Sequence, residues 1–122
     1  MTDYHEPPEE LSQETRNFTR ALHSLREEIE AIDWYHQRIQ ASEDDSLRRI
    51  LVHNRNEEME HASMALEWLR RHMEGWDERL RTYLFTEGEI SEIEVESSGR
   101  PGEDDGSAQD EAQDLGIGNL SK

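Results

Sequence analysis

The stretch NEEMEHASMALEWLRR, residues 56–71, has the apolar spacing of an amphipathic helix, yet its inward side carries a carboxylate, Glu58, and an imidazole, His61. Leucine would pack better at either position. Extended upstream, the inward line reads Leu47, Leu51, Asn54, Glu58, His61, Ala65, Trp68, so its centre is polar for three successive positions. A buried ionised carboxylate without a partner is costly enough that it normally neutralises or gives way to an apolar residue. Something has to compensate.

Working outward, Asp44 or Asp45 caps this helix at its start, after the polar break SEDDS, and Gly75 stops it. A preceding helix runs from an N-cap at Ser12 to about Ala41, with the inward line Ala21, Leu25, Glu28, Ile32, Tyr35, Ile39 and Glu28 at its middle. Each helix is roughly 30 residues, or about 45 Å. A shorter third helix covers Trp76 to about Phe85, and Gly88 ends the regular pattern. The fold class is therefore all-α: a long antiparallel two-helix hairpin plus a short third helix. Such a hairpin is half of a four-helix bundle and leaves an apolar stripe uncovered. A two-fold dimer closes the bundle most simply, because one surface then covers itself.

The bulk composition narrows the chemistry. The 122 residues hold one domain at most, with only 32% hydrophobic residues and a formal net charge of −17. That charge excludes nucleic acid and anionic membrane as favoured partners, since both demand clustered cations, and it suits metal cations. Absence of cysteine removes disulfides, thiolate metal sites and a thiol nucleophile. The opening MTDYHEPPEE lacks the basic cluster and apolar run of a signal peptide, and no stretch is apolar enough to span a bilayer, which predicts a soluble, cytoplasmic chain. Four segments follow: a polar arm over residues 1–11, a helical domain over 12–96, a linker over 97–114 and a tail over 115–122. The linker has six acids and no aromatic or large aliphatic residue, so it predicts disorder. The tail returns to apolar residues with LGIGNL.

The spacing of the polar residues in the stripes names the compensation. Glu58 and His61, three apart, point from one helix face toward one spot, and a carboxylate with a neutral imidazole suits iron, manganese or zinc. Di-iron carboxylate bundles use a Glu from each of two helices and a Glu-x-x-His pair from each of the other two. One copy of this chain, with Glu28, Glu58 and His61, supplies half of that set. Two copies complete both the bundle and the site. A helix phase shifted by one residue would instead turn Glu57 and Glu60 inward and forfeit the imidazole. A solvent-facing Glu-x-x-His pair is the commonest use of that spacing, and only its placement on an apolar stripe opposite Glu28 argues for metal. Met59 and Met64 read as core or interface filler, and His53 and Asn54 as polar interface residues.

LREEIEAIDWYHQRI (residues 25–39), HNRNEEMEHASMALEWLRR (53–71), LRTYLFTEG (80–88), the early HEP (5–7) and the closing LGIGNL (115–120) together resemble the encapsulated ferritins. The resemblance covers most of residues 5–96, skips the linker and resumes at the tail. It implies a ferritin-like ferroxidase that lacks the ferritin cage and works inside an encapsulin nanocompartment in the cytoplasm. Its bundle would form between subunits, and the dimers would assemble into an annular decamer. Two irons would lie at each dimer interface between paired Glu28, Glu58 and His61, with Tyr35 close to the metals. Glu27 and Glu30 match the carboxylates through which metal enters in that family, and Trp34 matches the aromatic beside them; other divalent cations are alternative occupants there. Without the resemblance, those three read as a solvated acidic face with a rim tryptophan. Leu115, Gly116, Ile117, Gly118 and Leu120 correspond to the peptide that binds the encapsulin shell. The competing reading is a non-catalytic acidic metal-binding dimer or an adaptor that docks through its tail.

Overall fold

The computed structural model describes residues 4–97, and all regular structure among them is helical. After a 3-10 turn at Pro8–Glu10 come α1 (Gln13–Ala41), α2 (Asp45–His72), α3 (Trp76–Tyr83) and α4 (Ile90–Ser97). The described chain divides into two units, one ending at Glu74 and the other beginning at Gly75.

In the first unit, the ends of both long helices are set by side chains the sequence marks. Ser12 Oγ accepts from the Thr15 backbone N–H at 3.0 Å, and Asp44 Oδ1 accepts from that of Leu47 at 2.8 Å, each satisfying an amide left free by the first helical turn. Asp44, of the two aspartates considered, is the cap. Arg70, Arg71 and His72 occupy the last turn of α2, where cations complement the helix dipole. There Glu67 accepts from Arg70 Nε and Nη2, both at 2.8 Å, and from Arg71 Nε at 2.6 Å. Those two guanidinium groups lower the Glu67 pKa to about 2.

The two helices run antiparallel. Phe18 meets Trp68 edge-on at 6.1 Å between ring centroids, Glu28 meets His61, and His36 Nδ1 lies 3.2 Å from Arg55 Nη1, so that advance along α1 is retreat along α2. The predicted inward lines hold in most positions, with Ile39 and Leu51 buried and Ala21, Leu25, Glu28, Ile32, Tyr35, Asn54, Glu58, Ala65 and Trp68 half-buried, but Leu47 and His61, both placed on the inward line of the second helix, are exposed. Leu69, which the predicted line omits, is the most deeply buried side chain, with no exposed surface. It lies four residues from Ala65 while Trp68 lies three, and an inward face more than 100° wide admits both. Buried apolar side chains among the described residues are three: Ile39, Leu51 and Leu69. By contrast Leu22, Ile29, Leu47, Ile50, Met59 and Met64 are exposed.

The second unit begins at Gly75, whose φ of 103° is left-handed backbone that suits glycine, and which caps α3. The third helix stops at Tyr83, two residues short of the expected end; Phe85 takes a left-handed φ of 61° and is fully exposed. Gly88, φ 95°, does not end the regular structure as expected, because α4 follows it and packs against α3. Ser97, assigned to the linker by sequence, is the last residue of α4. The rest of the expected linker and the tail residues Leu115, Gly116, Ile117, Gly118 and Leu120 lie outside the described residues.

Candidate metal centre

Midway along the hairpin, Glu28 of α1 faces Glu58 and His61 of α2. One ligand atom from each side chain lies within 4.8 Å of the other two, and among the described residues this is the one such group of three. His61 Nδ1 is 3.5 Å from Glu28 Oε1 and 3.5 Å from Glu58 Oε1. Ligands about 2.1 Å from a single ion stand roughly 3.0–3.5 Å apart, so the spacing suits one shared cation. The helix phase follows the first of the two readings: the Glu58 side chain is 24% exposed and that of Glu57 48%.

The two carboxylates lie close enough that the charge of Glu58 disfavours ionisation of Glu28. The Glu28 pKa is raised, first by a hydrogen bond to Glu58, then by burial and by the Glu58 charge, while His61 pulls it partly back. Two acids this close do not both ionise cheaply, and a divalent cation relieves the same repulsion that the proton does. Two carboxylate oxygens and an imidazole nitrogen form a donor set for iron, manganese or zinc.

The other residues singled out from sequence lie around this group. Tyr35 is half-buried two turns along α1, with the Arg38 guanidinium 5.1 Å above its ring. Glu27, Glu30 and Trp34 are exposed and do not join the three-residue group; Glu27 Oε2 pairs with His23 Nε2 at 2.9 Å. Asn54 is half-buried, Glu60 and His53 exposed. Sequence reasoning set Glu57 against Glu58 as rivals for the inward position and so missed that Glu57 also approaches the histidine, with Oε1 4.0 Å from His61 Nε2. The four-residue spacing of His53, Glu57 and His61 was the available signal.

An all-helical hairpin with two carboxylates and a histidine clustered between its helices defines a ferritin-like protein with a candidate metal centre. The chain belongs to the EncFtn-like family of encapsulated ferritins, whose model matches residues 3–87. It is 57% identical over 117 residues to the ferritin-like protein of Thermotoga maritima, covering 96% of each chain. It is 54% identical over 121 residues to the encapsulated ferritin-like protein of Rhodospirillum rubrum, covering 95% of this chain and 86% of that one. A protein of solved crystal structure from Nitrosomonas europaea superposes with a TM-score of 0.70 at 55% identity, over 72% of this chain and 97% of the other. No helix among the described residues is long and apolar enough to cross a membrane.

Proposed function

We propose that this protein is a ferroxidase, oxidising Fe(II) to Fe(III) at a di-iron site built between two copies of the chain. The observation that carries the reading is the half-set of ligands, Glu28, Glu58 and His61, on a hairpin whose apolar surface is left uncovered. Ile29 and Met59, each the chain neighbour of a ligand glutamate, are both exposed, so a second copy seated there would bury apolar surface beside the ligands. The doubled set is four carboxylates and two imidazoles, and four carboxylates balance the charge of two Fe(II) ions. Each Fe(II) gives up one electron to O2 or a reduced oxygen species. The carboxylates favour the product, because Fe(III) is the harder cation.

Iron is the substrate here, so the protein's own work is to collect it, pair it and release it. Glu27, Glu30 and Trp34 form the exposed approach by which Fe(II), or another divalent cation, reaches the centre, and Tyr35 stands beside the metals. Dimers assemble into an annular decamer, which encloses no storage cavity. The oxidised iron is therefore stored in an encapsulin nanocompartment, to whose shell the chain is tethered by Leu115, Gly116, Ile117, Gly118 and Leu120, the apolar three filling pockets on the inner wall. The names of the Rhodospirillum relative and of the family support that assignment.

The test is the appearance of ferric absorbance after Fe(II) is added in air. The wild type should exceed the protein-free rate, and the Glu58→Ala, His61→Ala double variant should fall to it. Undiminished turnover in that variant would remove the site assignment. A wild type no faster than buffer, with Fe(II) bound, would leave a non-catalytic metal-binding dimer or adaptor.

A further inference from the structure

We infer that Glu57 is a positioning residue for His61, its carboxylate receiving the imidazole Nε2–H so that the Nδ1 lone pair stays aimed at a cation held with Glu28 and Glu58. The inference rests on the metal-centre reading above and deepens it. Both nitrogens of His61 face carboxylates: Nδ1 lies 3.5 Å from Glu28 Oε1 and Glu58 Oε1, and Nε2 lies 4.0 Å from Glu57 Oε1. A neutral imidazole has one N–H and one lone pair, so ligation through Nδ1 requires the proton on Nε2. Glu57 is the acceptor the fold places on that side.

The local structure supports the role. Glu57 and Glu58 precede His61 by four and three residues on one α-helix, so the ring is bracketed by successive acids held at fixed spacing. The second oxygen of Glu57 lies 3.9 Å from His53 Nε2, which places the carboxylate between two imidazoles one turn before and one turn after it. At 4.0 Å the Glu57–His61 approach is longer than a hydrogen bond; the half-exposed glutamate can swing to close it, or one water can bridge it. Metal-ligating histidines almost always give their other N–H to such a partner, and the partner fixes both tautomer and ring orientation.

The experiment uses the full chain and Zn(II), a redox-inert probe, with affinity read by competition titration and the His61 tautomer read by nitrogen-15 NMR of the imidazoles. Wild type should bind with the proton on Nε2 and that proton slow to exchange. Glu57→Ala should weaken Zn(II) binding about tenfold and speed the exchange, and Glu57→Gln, whose amide oxygen still accepts, should recover most of both. Three results would overturn the inference: Glu57→Ala binding within about twofold of wild type; Glu57→Gln as weak as Glu57→Ala; or His53→Gln losing as much as Glu57→Ala, which would make Glu57 and His53 ligands in their own right. Wild type that binds no Zn(II) would defeat the metal-centre reading itself, and the inference with it.

Discussion

Glu28 and Glu67 show how neighbours decide what a glutamate contributes. Glu67, between Arg70 and Arg71, has its pKa depressed to about 2, so its stabilising contribution is present above the ordinary carboxylate value and is lost as pH falls toward 2. Glu28 has the opposite sign. Its pKa is raised, chiefly by the hydrogen bond to Glu58, so the folded state holds a proton that the unfolded chain has already released. Its contribution to stability is therefore fully present below the ordinary value of 4.5 and is lost as pH rises from there through the raised value. Thermal unfolding of chelator-treated protein between pH 4.5 and 7.5 should show this fall, and Glu28→Gln, which keeps the shape without the charge, should flatten it; an unchanged slope in the variant would refute the raised Glu28 pKa as its source. Because a cation displaces that proton, Fe(II) affinity should drop as pH is lowered through the same window. The polar centre of both helices was legible from sequence at this scale, since Glu28, Glu58 and His61 interrupt apolar lines at helical spacing. The approach of Glu57 to the far side of His61 was not, because helical phase was treated as a choice between neighbours, whereas a ring with two nitrogens can face both.

At the scale of elements, the long helices were legible because each has about eight turns of periodicity and a capping side chain at its start. Asp44 accepts the Leu47 amide at 2.8 Å, and Asp44→Ala should cost about 1 kcal/mol in urea unfolding. A cost below about 0.3 kcal/mol would show that Asp45 or water takes over the cap. Leu69 is the larger stake: its side chain is wholly buried, and Leu69→Ala should cost about 2–5 kcal/mol by the same measurement. The short elements were less legible. The helix α4 is eight residues long, begins two residues after Gly88 and is rich in glutamate, so it offers too few apolar positions to set a period. The expected third helix reached Phe85, yet Leu84 already has extended backbone and Phe85 is left-handed. Local backbone geometry, which no hydrophobic pattern encodes, decided that boundary.

For the whole molecule, the hairpin's small private core and the half-set of ligands proposed for Glu28, Glu58 and His61 make one demand. Among the described residues, three apolar side chains are buried against seven large ones left exposed on the two long helices, surface that the proposed second copy would cover. In the proposed dimer, paired copies would bring four carboxylates together, so association without metal would be opposed by their repulsion and association with Fe(II) favoured. Deleting residues 115–122 should leave the oxidation rate unchanged and prevent loading into the encapsulin shell; normal loading of the truncated chain would refute the role of the tail. The central claim, that two chains share one iron centre, is tested most directly by native mass spectrometry under anaerobic Fe(II) titration. The account predicts that chelator-treated protein is shifted toward smaller species, and that iron appears in pairs, two per two chains, only on dimers and their multiples. A monomer carrying both irons, or a metal-free protein already fully assembled and indifferent to Fe(II), would contradict it.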